Sequence, residues 1–212
     1  MNWFGMGVKE TIKRVWHFLW DEDSIWSWIA NVVLAFVIIK FLLYPGLGWV
    51  LGTPAPIVAV VSGSMEHDGS FDDWWALSSC CNDFCSKREV QGLFYAQFDI
   101  DRADFRSFDF VNGFNMGDIM ILYSAKNAEV GDVIVFMVPN RPDPIIHRVI
   151  KIAEENGERY FTTKGDHNCD IGAFEQKMPA ENVIGKAVWR VPWLGWVKII
   201  AVWIFDVLRG AI

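Results

Sequence analysis

Basic residues are scarce in this chain of 212, with 19 Lys and Arg against 26 Asp and Glu for a net charge of −7. Binding to phosphates needs clustered cations, so a nucleic-acid partner is excluded. Cysteine is limited to Cys80, Cys81, Cys85 and Cys169, which form neither a CxxC pair nor a repeated ligand spacing. Neither a metal nor a cofactor is therefore expected. Histidine is limited to His17, His67, His147 and His167, a short roll of candidate bases.

Apolar residues are plentiful by contrast, at 52% with 12 Trp, more than a purely soluble protein needs. From Ile25 the chain reads IWSWIANVVLAFVIIKFLLYPGLGWVLG, broken only by Asn31 and Lys40 before Pro45, where a helix is expected to end. The interval Trp26 to Tyr44 matches the roughly 20 helical residues that cross a hydrocarbon core. Trp26, Trp28 and Tyr44 sit where an aromatic belt would be, and Lys40 can snorkel. A cleavable secretory signal is the competing reading, but the run is longer than such a core and starts well inside the chain. Ahead of it, Val8, Ile12, Val15, Trp16 and Leu19 fall at helical spacing among Lys9, Lys13 and Arg14, an amphipathic helix suited to a membrane surface. Those cations keep the N-terminus cytoplasmic under the positive-inside rule, which puts the rest of the chain outside.

After Pro54 the rhythm becomes that of strands. The segments 56–61, 118–124, 131–138, 145–154, 159–165 and 182–191 are short, β-branched and bounded by Gly, Pro, Asn or Asp. Asn156-Gly157 marks a hairpin. The fold class expected is mainly β: an all-β domain with an N-terminal transmembrane helix, a long insertion and a C-terminal membrane helix. The divisions are an amphipathic helix (1–23), a span (24–52), the β domain (53–65 and 114–191), an acidic, aromatic-rich insertion (66–113) and a C-terminal span or interfacial helix (192–212), with the span preferred. Asp and Glu number ten between Glu66 and Phe110 against four Lys and Arg, so most of the net charge lies in the insertion. Its aromatic content argues that it is folded.

One stretch carries chemistry. In VVSGSME, Ser62 and Ser64 follow a β-branched run, and a serine hydroxyl needs a neighbouring base before it can attack. His17 lies in the amphipathic helix, while His67 and His167 lie in polar turns where exposure is expected. His147, in PIIHRVIKI, alternates onto the face of Ile145 and Val149, with Arg148 pointing the other way. A two-residue turn at Asn156-Gly157 pairs Glu155 with Glu158, and counting back along both strands sets His147 opposite Asp166. Opposed side chains lie about 5 Å apart at Cβ, close enough for a carboxylate to orient an imidazole. Asp166 is the favoured partner; Asp170, four residues on, could curl back to the same place.

With those residues in view, the chain resembles archaeal type I signal peptidases of the serine-histidine, ER-type kind related to the catalytic subunit of the eukaryotic signal peptidase complex. The matching boxes, in order, are SGSME, GDVIVF, IIHRVI and TKGDHN. The resemblance implies a membrane-bound serine endopeptidase that removes signal peptides after small residues. Ser64 would be nucleophile, His147 general base, and Ser62 and Met65 oxyanion- or substrate-binding residues. The strand before Ser64 would take the substrate as an added strand. The implied partners are preprotein signal peptides, the lipid bilayer and the protein-export channel. The implied location is the cell membrane, with the catalytic domain on the extracytoplasmic side. Two features depart from the family: His167 and Asp170 stand where it commonly reads Asn and a more distant Asp, and the insertion replaces a short link. A catalytically silent scaffold of a secretion complex, and a site-specific membrane protease with another substrate, are the alternatives.

An external domain disfavours free thiols. Adjacent Cys80 and Cys81 are poorly placed to pair, because a disulfide wants Cα atoms more than about 4.4 Å apart and neighbours lie at about 3.8 Å. A disulfide from Cys169 to one of them, with Cys85 taking the other, is expected; the alternatives are four reduced thiols or a local bond at Cys85.

Overall fold

The computed structural model describes residues 7–78, 89–139, 141 and 143–209. The chain forms two compact units, Met1–Val50 and Leu51–Ile212.

In the first unit, α1 (Val8–Trp20) precedes α2 (Ile25–Ile38), which runs through a π-helical segment (Ile39–Leu43) into α3 (Tyr44–Leu51). Ser24 caps α2 by accepting from the Ser27 amide. Asn31, a polar interruption in the apolar run, donates to the Leu19 carbonyl at 2.7 Å and so satisfies the end of α1. Pro45 does not end the helix as expected. The Tyr44 amide reaches back to Ile39 in an i→i−5 bond, and this wide turn immediately before Pro45 lets the helix continue past a residue with no amide hydrogen. The continuous helix Ile25–Leu51 has 27 residues, with only 6% of its most apolar window buried. At 1.5 Å per residue it is about 40 Å long, enough to cross a bilayer core.

The second unit is built on one seven-stranded antiparallel sheet of order β1-β2-β7-β3-β4-β5-β6, which is curled. Its strands are β1 (Ile57–Ala59), β2 (Ile119–Tyr123), β3 (Val133–Phe136), β4 (Ile145–Glu155), β5 (Glu158–Lys164), β6 (Met178–Pro179) and β7 (Val183–Val191). Six of these match the expected segments, with β4 and β5 each reaching one residue further toward the hairpin turn; the two-residue β6 is too short to leave a pattern. All four residues of β3 are buried because the strand is covered on both faces. Val133 and Val135 join one apolar cluster with Met65, Phe114 and Leu122. Ile134 and Phe136 join another with Val149 and Phe161. Each such side chain contributes roughly 1.5–3 kcal/mol by leaving water. Among the described residues helix exceeds strand, 40% to 21%, so "mainly β" describes the sheet and not those residues as a whole.

Asn156 and Gly157 take φ of 55° and 80°, the left-handed values of a type I′ turn, and Glu155 pairs with Glu158 as expected. The register then shifts between Val149 and Lys151, leaving Ile150 as an extra residue on β4. Beyond that bulge Arg148 stands opposite Lys164.

Among its described residues the insertion holds three short helices, α4 (Phe71–Ala76), α5 (Gln91–Ala96) and α6 (Arg102–Ser107). Its acidity is partly a matter of caps. Ser70 with Asp73, and Asp101 with Asp104, form capping boxes at α4 and α6. Hydrogen bonds from Ser70 lower the Asp73 carboxyl, and backbone amides lower Asp101. Phe71, Trp74, Phe94, Tyr95, Ile100 and Phe105 form a core of their own, joined by Ile150 from the bulge.

After β7, the Gly195 amide bonds the Gly117 carbonyl and leads into α7 (Trp196–Leu208). This helix has 13 residues. Over its described residues it measures about 20 Å, shorter than the roughly 30 Å of a bilayer core, so the expected C-terminal span is not shown.

Candidate active site

Ser64 sits in the turn after β1, and His147 is the third residue of β4. Their side chains meet: Ser64 Oγ lies 3.0 Å from His147 Nε2. The other ring nitrogen, Nδ1, is in close hydrogen-bond contact with Glu175 Oε1. The same Glu175 oxygen accepts from Thr163 Oγ1 at 3.1 Å, and Oε2 accepts from the Gly172 amide at 2.9 Å. Glu175 is thereby pinned at the end of a short 3-10 turn, Ala173–Glu175, with its side chain only 2% exposed. A carboxylate at Nδ1 selects the tautomer that leaves Nε2 able to accept the serine proton, the geometry used in acyl transfer. Ser62 Oγ lies 3.2 Å from Ser64 Oγ. The pair opens onto a cleft of about 780 Å³ whose walls include Val61, Ile145, Ile146 and Phe174.

Neither expected carboxylate is the partner of His147, whose two ring nitrogens meet Glu175 and Ser64. The bulge at Ile150 moves the register by one, so the residue that Asp166 serves is Arg148. Asp166 accepts from Arg148 Nε at 3.0 Å and Nη2 at 2.7 Å, from the Tyr95 hydroxyl at 2.8 Å, and contacts His67 Nε2 at 2.9 Å. Burial alone would raise its pKa; the charge of Arg148 and the hydrogen bonds from His67 and Arg148 outweigh this and hold it well below the usual carboxylate range. Desolvation, helped by the Asp166 charge, pushes the Tyr95 hydroxyl well above its ordinary value. Asp170 is exposed and accepts from the Ile171 amide at 2.7 Å, spent on its own turn.

Two further expectations are corrected. Met65 is fully buried in the core, taking the Asp166 amide on its sulfur, and does not line the cleft. The His67 side chain is 1% exposed, stacked on Trp74 with ring centroids 3.8 Å apart, where a polar turn had suggested exposure. Cys169 lines the cleft and is disulfide-bonded; Cys80, Cys81 and Cys85 lie outside the described residues. Glu175 was missed because it belongs to none of the four boxes and to no strand. The only sequence signal is Gly172-x-x-Glu175, a weak capping pattern.

A serine, an imidazole and a carboxylate in this order define a constellation suited to nucleophilic attack on a carbonyl. No family model matches the chain. It is similar to the signal peptidase complex catalytic subunit SEC11C of Homo sapiens, 28% identical over 204 residues that cover 92% of this chain and 80% of the human one. It is likewise similar to SEC11 of Scheffersomyces stipitis, 26% identical over 167 residues, or 76% and 74% of the two chains. A shorter match to SEC11 of Candida tropicalis reaches 31% over 94 residues, 41% of this chain and 57% of that one. All three relatives are named as catalytic subunits of the signal peptidase complex.

Proposed function

We propose that the protein is a membrane-bound serine endopeptidase that removes signal peptides from exported preproteins after small residues. The observation that carries this reading is the chain of contacts from Ser64 Oγ through His147 to Glu175. In the proposed reaction Ser64 Oγ attacks the scissile carbonyl carbon while His147 Nε2 takes the hydroxyl proton. Glu175, bonded to Nδ1, stabilises the resulting imidazolium. The tetrahedral oxyanion is met by the Ser64 amide and, through the resemblance, by the Ser62 hydroxyl. Collapse breaks the peptide C–N bond, and His147 passes its proton to the leaving amine. A water deprotonated by His147 then attacks the acyl-serine; the ester C–O bond breaks, His147 returns the proton to Ser64 Oγ, and the signal peptide leaves with a free carboxylate.

The N-terminal apolar helix supports a membrane location, with the N-terminus cytoplasmic by its cations and the catalytic domain extracytoplasmic. Trp193, Val197 and Trp203 are exposed by 73%, 70% and 58%, which suits α7 to lying in a bilayer interface. The Cys169 disulfide suits an oxidising compartment. Cleavage of a preprotein by the purified full chain in liposomes, with the N-terminus of the product determined, tests the reading. Cleavage after Ala-x-Ala, lost in Ser64→Ala, is expected. An uncut preprotein together with a Ser64 inert to a fluorophosphonate would favour a scaffold; labelling without cutting would point to another substrate.

A further inference from the structure

The insertion packs against β4 at Arg148 and Ile150 and against residues 164–168, and this last piece in turn holds Ser64. The His167 amide donates to the Ser64 carbonyl at 2.8 Å. Gly165 lies so close to the pair that a Cβ there would come within 2.8 Å of both His147 Nε2 and the Ser64 carbonyl oxygen. The depth of Ser64 relative to His147 therefore depends on where 164–168 lies.

From the other side, the insertion grips the same piece at three points. Tyr95 donates to Asp166 Oδ1, and His67 meets Oδ2. Lys164 Nζ donates to Gln91 Oε1 at 3.0 Å and lies over the rings of Phe94 and Tyr95. Arg148, bound to Asp166, donates to the carbonyls of Asp109 at 2.9 Å and Phe110 at 3.0 Å, closing the insertion's far end onto β4. Tyr95, Arg148, Lys164 and Asp166 are completely buried and Gln91 nearly so. A buried ionic network is weak as a stabiliser, since apolar packing of the same volume serves as well or better. What it supplies is a single arrangement, because each group is satisfied in only one geometry.

We propose that the insertion 66–113 positions the nucleophile, with Tyr95 and Gln91 as positioning residues that fix 164–168 and, through His167 and Gly165, Ser64. This rests on reading Ser64 and His147 as the catalytic pair. It distinguishes the insertion from a lid, which would govern access, and from an embellishment, which would govern stability alone.

The test uses the full chain in detergent micelles. Tyr95→Phe removes one hydroxyl and keeps the ring; Gln91→Leu is the second variant, acting through Lys164. Phe71→Leu is the control, because Phe71 packs on Trp74, Trp75 and Phe105 within the same aromatic core but makes no contact with 164–168 in that network. Displacing a reacting atom by a fraction of an ångström predicts that Tyr95→Phe and Gln91→Leu lower kcat by roughly tenfold with KM kept within about twofold. Phe71→Leu should lower the melting midpoint and leave kcat intact at a temperature where all variants are folded. Hydrogen exchange at the His167 amide should quicken in Tyr95→Phe and not in Phe71→Leu. An unchanged kcat in Tyr95→Phe, or an equal fall in Phe71→Leu, overturns the proposal. If the wild type cuts no preprotein, the functional reading fails; exchange at His167 then still decides the coupling, faster exchange in Tyr95→Phe upholding it and unchanged exchange overturning it.

Discussion

His147 and Arg148 are neighbours on β4, both buried and each held by one carboxylate, yet they face opposite sides of the sheet and have different work. Glu175 holds His147 by one nitrogen and leaves the other for Ser64. Around Arg148 every nitrogen is engaged: Nε and Nη2 on Asp166, Nη1 on the carbonyls of Asp109 and Gly131, and Nη2 again on Phe110. One arrangement is left incomplete toward a cleft; the other is closed on all sides. A buried carboxylate beside a catalytic pair is therefore not marked as catalytic by its perturbed titration, since structural ion pairs perturb pKa values as strongly. What separates the two is whether the partner has a group left over to react.

The comparison breaks most visibly at the reactive side. Ser64→Ala and His147→Ala should each abolish preprotein cleavage with folding unchanged, because nucleophile and base act as a unit. Activity within about tenfold of wild type in either would remove them from these roles. Next in size, Glu175→Gln should lower kcat by about 10²–10⁴ by ceasing to fix the tautomer, while Asp170→Asn stays near wild type. The reverse order, seen in the same single-turnover assay, would return the acid to Asp170.

On the closed side the effect should be on stability. Arg148→Met leaves Asp166 buried without its cation and should cost about 3–5 kcal/mol in denaturant unfolding. Asp166 titrates below its unfolded value of 3.8, so the stability it contributes is fully present above that pH and is lost as pH falls below it toward the folded-state value. Asp166→Asn should therefore be less stable at neutral pH and show a flatter acid limb, read from denaturant midpoints between about pH 2 and 7. An acid limb as steep as wild type would assign the acid lability elsewhere. The smallest effect sharpens the contrast: Asp72, lowered by hydrogen bonds from Arg106 and Arg102, is exposed on the surface of the insertion. Asp72→Asn should leave the unfolding midpoint where it was, because solvent screens such pairs.

Ser64 and His147 were legible in the sequence because each sits in a local pattern with a direction: a β-branched run ending in Ser-Gly-Ser, and an imidazole alternating onto an apolar face. The hairpin at Asn156-Gly157 was legible for the same reason. Glu175 was not, since it is brought to His147 by a turn that only tertiary packing places. His67 reads as a polar-turn residue until Trp74, seven positions later, folds over it. Pro45 carries a strong local signal for a helix end, and a wide turn of backbone overrode it. In each miss the deciding contact is remote from the residue or invisible to side-chain pattern.

The extra residue at Ile150 has a bearing on how chains of this kind can change length. Side chains on a strand alternate with a period of two, so removing one residue between the hairpin turn and His147 would exchange the environments of positions 147 and 148. The imidazole would be carried toward the closed polar network and the guanidinium toward the cleft. Single-residue insertions and deletions in β4 should thus be as damaging as loss of the histidine itself, whereas paired ones keep the phase. The spacing from Asn156-Gly157 back to His147 is inherited information of the same rank as the identity of the residues it separates.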